Sequence, residues 1–403
     1  MATPAPRPAT LPDAMHFAAA LSGADRFDTA FDEVIDDLED RLGGASPSLL
    51  NLFVGSAHEA NYVRLHRMLR QKYPQASLVG CSAGGTIGDG QELEEGSGLS
   101  ISALHLPDVD IRPFHLDPDR VPKPTSSGLW QEVLGTSAES QPTIIVFPDP
   151  FTSPIDAVLE GLDRTFEGST VLGGVASGMQ EAGGGALFCD DEVHATGTAG
   201  VVLSGDVQVD TIVSQGCRPI GAPMFVTRGS ENLITGLDGQ SPASVLQRLY
   251  DSLPSEDQVR LRQSLFVGLV MDDDLEVYEQ GDFLIRNIMG LDGDTGSLAI
   301  GANVRPNTVV QFHLRDAETS ARDLQALLEA RSDAGEPTPA GALMFSCLGR
   351  GQGLYGKPNV DSNIVRELYP KLPLGGFFCN GELGPVQGIT HQHGYTNVLA
   401  LFG

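Results

Sequence analysis

Ala342-Leu343-Met344-Phe345-Ser346-Cys347 breaks into Leu348-Gly349-Arg350-Gly351-Gln352-Gly353-Leu354-Tyr355-Gly356 and a helix pattern. Leu372-Pro373-Leu374-Gly375-Gly376-Phe377-Phe378-Cys379-Asn380-Gly381-Glu382 follows, then His391-Gln392-His393 and a closing apolar strand. An apolar run, a helix, a second apolar run and a glycine turn mark a strand-helix-strand unit. Its loops crowd together glycine, cysteine, carboxylate and histidine, and loops on a rigid scaffold are where binding and catalysis tend to sit.

The same series stands upstream. Leu50-Asn51-Leu52-Phe53-Val54-Gly55 reads as a buried strand, Ser56 to Tyr73 as loop and helix, Ala76 to Gly80 as a second strand and Cys81-Ser82-Ala83-Gly84-Gly85 as a turn. Thr143-Ile144-Ile145-Val146-Phe147 restarts it, with helix Pro154 to Phe166, strand Ser169 to Gly174 and turn Val175-Ala176-Ser177-Gly178. Three clear units and a partial one are expected. The closing segments Ser97 to Leu116 and Gly296 to Leu314 can be overlaid, ending in Phe114-His115-Leu116 and Phe312-His313-Leu314, with a weaker copy at Gly197 to Gln215. Ahead of the units, residues 26 to 42 place apolar side chains at helical spacing with acids opposite, and Gly43-Gly44 ends the helix. Long hairpins argue against an all-parallel sheet, so the reading is an α+β fold with mixed or antiparallel sheets flanked by helices.

At 403 residues the chain exceeds one ordinary core, and two domains are expected at roughly 150 residues each or more. Ser241-Pro242 reads as an N-cap followed by proline at the first helical position, which places the main division near residue 240. The expected layout is a lead over 1–24, one half over 25–238 and another over 239–403. Apolar residues at 41% and charged residues at 19% suit packed cores and exclude a disordered chain. The net charge of −28 repels nucleic acid and anionic lipid, so neither is expected as a partner. Five cysteines without a CxxC pair suit a reducing compartment, and no apolar run approaches a membrane span, so a soluble cytoplasmic protein is expected.

Three motifs suggest chemistry. Gly351-Gln352-Gly353-Leu354-Tyr355-Gly356 matches G-x-G-x-x-G, but Lys357-Pro358 interrupts the junction and too little chain remains for a dinucleotide domain. Gly80-Cys81-Ser82-Ala83-Gly84 matches the nucleophile elbow, yet no helix follows the serine. Cys379, Glu382 and His393 offer a nucleophile, an orienting acid and a base; the alternative is a buried structural cysteine. Glu382 beside Asn380 suits an amine, and Arg350 a carboxylate, which together fit an amino-acid-like ligand. His391 and His393 share a strand face and could hold a metal or a haem iron. His194, which also precedes a strand, is a second candidate axial ligand, and exposed loop histidines are the bland alternative.

The order Ser346-Cys347-Leu348-Gly349-Arg350-Gly351, Pro373 to Pro385 and His393-Gly394-Tyr395-Thr396 closely resembles the C-terminal half of FIST proteins. Val79 to Gly85 and Leu172 to Gly178 look like the N-terminal half. The resemblance implies a small-ligand-binding sensory module that signals through a partner protein; some bacterial members it resembles are haem-based nitric-oxide sensors. The site expected from the repeat is a pocket between pseudo-equivalent halves. First-strand loops bring His58, Asp149 and Arg350; glycine turns bring Ser82, Ser177 and Asn380; Cys379, Glu382 and His393 complete the wall. A stand-alone sensor is the leading reading, with an enzyme using Cys379 or Ser82 and a non-catalytic interaction scaffold as alternatives.

Overall fold

The apolar runs at 49–55, 143–148 and 341–347 are buried almost throughout, as befits strands covered on both faces. The computed structural model describes residues 14–272, 275 and 277–403. In chain order, β1 (His16–Ser22), α1 (Phe27–Leu42), β2 (Leu49–Gly55), α2 (Tyr62–Lys72) and β3 (Ser77–Ala83) lead to a hairpin, β4 (Gly85–Gly88) and β5 (Gln91–Leu93), and then β6 (Leu99–His105). The second pass is β7 (Val109–Leu116), α3 (Ser127–Leu134), β8 (Thr143–Pro148), α4 (Ile155–Thr165), β9 (Thr170–Gly174), hairpin β10 (Leu187–Cys189) and β11 (Glu192–His194), then β12 (Thr198–Gly205). The third opens with β13 (Val209–Gln215) and is interrupted by β14 (Cys217–Ser230), β15 (Leu233–Leu237), α5 (Pro242–Ser252), α6 (Ser255–Ser264), β16 (Leu265–Val270), β17 (Phe283–Leu291), β18 (Leu298–Ile300) and β19 (Val309–Arg315). It resumes with α7 (Ala317–Asp333), β20 (Gly341–Cys347), α8 (Gln352–Tyr355), α9 (Val360–Leu368), β21 (Leu374–Cys379), hairpin β22 (Glu382–Val386) and β23 (Ile389–His393), and β24 (Thr396–Phe402).

Each pass builds the same four strands: β1-β6-β2-β3, β7-β12-β8-β9 and β13-β24-β20-β21. In each, a crossover makes one parallel pair, and antiparallel partners complete the sheet. Each hairpin leaves its own unit. β4 pairs with β21 of the third unit, β10 with β3 of the first, and β22 with β9 of the second. The exchange is cyclic, so the halves expected from sequence thread through one another. The interrupting segment closes a six-stranded barrel, β14-β15-β18-β17-β16-β19, set inside the third unit.

The Phe-His-Leu echo does not mark the repeat. Phe114 to Leu116 ends β7 at a sheet edge, whereas Phe312 to Leu314 lies on β19 of the barrel. The segment read as the weaker copy is the true counterpart, since β12–β13 steps from one unit to the next as β6–β7 does.

Register fixes the equivalence of the units. Leu52 faces Gly80, Val146 faces Gly173 and Met344 faces Gly376. One residue further along, Phe53, Phe147 and Phe345 therefore occupy matching positions. Their rings meet at 5.5, 6.4 and 6.0 Å between centroids, with Phe377 stacked on Phe53 at 4.7 Å. Such pairs add about 0.5–1.5 kcal/mol each beyond the area they bury. Helices cover the outer faces: α1 and α2 the first sheet, α3 and α4 the second, α7 and α9 the third. Helix ends follow the sequence signals. Gly43 caps α1 with φ 57°, and Ser241 accepts from Ser244 N–H with Pro242 in the first turn of α5.

Candidate functional site

The three second strands converge on the central axis and close it by hydrogen bonds. Ser177 Oγ accepts from Gly84 N–H at 2.8 Å and donates to Phe378 C=O. Ser177 N–H donates to Ser82 C=O at 3.2 Å, and Asn380 N–H to Val175 C=O at 3.0 Å. These bonds tie the three turns to one another, and with the phenylalanine cluster beneath, the axis is core. The turn residues are also not all equivalent. Ser177 and Asn380 lie four places after Gly173 and Gly376, a position that Gly84 fills in the first unit, while Ser82 lies two after Gly80. Ser82 is buried within β3, where its Oγ accepts from Ala186 N–H at 3.1 Å, and a strand rather than a helix follows.

The three side chains expected from the first-strand loops are each held within the protein. His58 is buried with Nε2 against Ser97 C=O at 2.8 Å. Asp149 is buried and accepts from Phe151 N–H, Thr152 N–H and Thr152 O–H, which ties its own loop. Arg350, expected to fork a ligand carboxylate, is 1% exposed and already forks one: Nε and Nη2 reach Asp361 at 2.8 and 2.9 Å. Tyr355 O–H bonds both partners, each at 2.7 Å. Burial opposes both charges, but each holds the other ionised; Asp361 lies below, and Arg350 above, its ordinary range. The glycine loop beside Arg350 leads into the four-residue α8, and Gln352 N–H is taken by Glu94 Oε1 at 2.6 Å. A carboxylate of the chain thus stands where a dinucleotide fingerprint would need phosphate.

The other expected residues do meet. Cys379, Asn380 and His393 line a cavity of about 760 Å³ between the third unit and the barrel. Opposite them stand Arg286 and Asn287 of β17, Arg315 at the end of β19, and Asp156 of α4. Tyr395 O–H bonds Asn287 Oδ1 at 2.8 Å across the gap, and Arg315 Nη1 donates to Gly349 C=O at 3.0 Å. Arg286 and Asp156 also line an adjoining cavity of about 660 Å³. Sequence reasoning missed Arg286, Arg315, Asp156 and Cys347. For Cys347 a signal existed: it matches Asp149, each lying three places after the strand residue that faces the glycine, Met344 or Val146.

Cys347 Sγ accepts from Gly349 N–H at 3.4 Å and Tyr395 N–H at 3.3 Å, with Glu382 beside it. Glu382 is fully buried; Oε2 accepts from Thr396 N–H at 3.1 Å and Oε1 has no hydrogen-bond partner. Burial pushes its carboxyl up to about 8. The thiols of Cys347 and Cys379 are raised by burial and then by Glu382, so neither rests as a thiolate, and the Cys379-Glu382-His393 trio offers no activated nucleophile. His393, with Nε2 on Gly384 C=O at 3.0 Å, is lowered by burial to about 3 and is neutral.

Glu382 has a measurable consequence. Its folded value exceeds the unfolded one, so between about 4.5 and about 8 the native state holds a proton that the unfolded chain has lost. This contribution to stability is full below the unfolded value and is lost as pH rises through that window. In Glu382→Gln, which is neutral at every pH, the loss is absent, so its melting temperature should gain on the wild type from pH 5 to 8. Parallel melting curves would refute the assignment.

Neither candidate histidine suits a haem. His393 keeps one ring nitrogen on a backbone carbonyl, and the cavity lining sets only Ile285, Ala302 and Leu348 as aliphatic side chains among Arg286, Asn287, Arg315 and Gln392, a sparse apolar wall for a porphyrin. His194 lies elsewhere, stacked on His115 at 3.6 Å and paired with Glu192 at 3.3 Å. Among the described residues no group of three His, Cys, Asp or Glu side chains is placed to hold a metal ion, and no helix is long and apolar enough to cross a membrane.

The family model of the FIST N domain matches residues 49–240, and that of the FIST C domain matches 242–385. An uncharacterized protein of Mycobacterium tuberculosis is 34% identical over 388 residues, 96% of this chain and 100% of its own. An F-box/LRR-repeat protein of Arabidopsis thaliana is 36% identical over 293 residues, 63% of this chain and 54% of its own. Among solved structures, a cyanuric acid hydrolase from A. caulinodans aligns over 97% of this chain and 99% of its own at 9% identity. Its TM-score is 0.35, a likeness that carries no argument about fold or activity.

Proposed function

This chain belongs to the FIST family, and we propose that it is a sensory protein that binds a small ligand in the cavity between the third unit and the barrel, and signals through a partner protein. The observation that carries this reading is the lining itself. Charged and amide side chains from the barrel face Asn380, Gln392 and His393 across a volume suited to a small molecule. The neutral thiols favour binding over turnover. A ligand there touches two bodies of one chain, the barrel and the sheet core, so its binding would bias their relative placement.

Asn380 is exposed and lines the cavity, and Asn380→Trp would set a bulky ring into the space beside Asn380 without altering a buried side chain. A small molecule found on the purified protein by native mass spectrometry should raise the melting temperature of the wild type and leave Asn380→Trp unmoved. Equal stabilisation of both proteins would place the ligand elsewhere.

A further inference from the structure

Among the described residues, the buried Arg350 meets Asp361, and the half-buried Arg331 and Arg218 meet Asp210 and Asp257. Arg286 does not pair in this way. Its guanidinium is half-buried on the wall shared by the two cavities, with Nη1 donating to Ile285 C=O at 3.0 Å, and among the described residues no carboxylate stands within ion-pairing distance. Asp156, on the same wall, acts on it only through space. Acids are not scarce in a chain with 53 of them against 25 basic residues, so the vacancy beside Arg286 is specific. Arg315 likewise lacks a carboxylate among the described residues; it leans over the Tyr395 ring at 6.0 Å. Glu382, beside Cys347, is held neutral at pH 7 by burial, and the acids Glu160, Asp163 and Glu167 line the adjoining cavity instead. On the lining of the larger cavity two positive charges therefore stand against one negative charge, inside a chain whose net charge is −28.

We infer that the ligand of this cavity is a small organic acid whose carboxylate is held by the Arg286 guanidinium, with Arg315 supplying the second positive charge. This rests on the reading of the cavity as the binding site. A guanidinium presents paired N–H donors that match a carboxylate, and partial exclusion of water strengthens the contact. The carboxylate supplies the acceptor that Arg286 lacks, and burial, which lowers Arg286 at present, is offset when the acid arrives.

The test is calorimetric titration of the full chain with acetate, succinate, glutarate and citrate, with glutaramide as the neutral counterpart of glutarate and with inorganic phosphate. At least one acid should bind the wild type. Arg286→Gln should weaken it about ten- to a hundredfold, the loss of a charge-assisted contact. Arg64→Gln, which removes an exposed pair with Asp28, should bind as wild type. Undiminished binding to Arg286→Gln, equal affinity for glutaramide, preference for phosphate, or no binding by any acid would overturn the inference. Loss of binding in Asn380→Trp alone would leave the cavity as the site and remove only the carboxylate; binding retained in both variants would remove both.

Discussion

Asp361→Ala should destabilise the protein by about 3–5 kcal/mol, because it strands a guanidinium in the interior. Arg350 has no exposed surface on its side chain, and its acceptors within reach would be Tyr355 O–H at 2.7 Å and Ser214 C=O at 3.5 Å. The loss also frees Asn397 Nδ2 and Ser346 Oγ, which reach Asp361 at 3.2 and 3.4 Å. Arg350→Met with Asp361→Leu removes both charges together and should recover most of the stability, since replacing a buried pair by apolar residues is often neutral or better. Melting temperature and soluble yield report both outcomes. An Asp361→Ala protein that melts as wild type would show that the pair is not buried as described. The double variant also separates fold from site: if Arg350 serves only the fold, it should bind ligand as the wild type does.

The roles of Arg350 and Asn380 show what the sequence could and could not disclose. Periodicity located the strands and helices, because buried runs such as Thr143 to Phe147 and the spaced apolar residues of 26 to 42 declare themselves locally. The closeness of Cys379, Asn380 and His393 was legible too, as they flank one short hairpin. Arg350 looked ligand-facing because it sits on a glycine loop; its partner Asp361 lies eleven residues on, in a helix whose rotation no motif specifies. Arg286, Arg315 and Asp156 come from the barrel and from α4, and only tertiary packing brings them to the cavity. The hairpin exchange was invisible for a related reason. A strand pair three residues long carries no address for the sheet it will join, so β4 can leave its own unit for β21 without any mark in spacing.

The glycines at the centre of the exchange carry the other large effect. Gly80, Gly173 and Gly376 have φ of 154°, 147° and 146°, a region that side chains rarely adopt. Each faces a neighbouring strand so closely that a Cβ would lie 1.8, 2.0 or 1.9 Å from the carbonyl oxygen of Leu52, Val146 or Met344. Those oxygens belong to the central strands of three sheets, which are packed on both faces and have nowhere to retreat. Gly376→Ala, and equally its two counterparts, should therefore exceed about 4 kcal/mol, the range reserved for substitutions that break a core. Gly183→Ala isolates the backbone contribution: its φ is 82°, nothing lies within 4 Å of an added Cβ, and the cost should be about 1–2 kcal/mol. The three central variants should fail alike, because pseudo-equivalence gives them one environment. If Gly80→Ala or Gly173→Ala folded and melted near the wild type while Gly376→Ala did not, the units would not share the strand register on which the threefold reading depends.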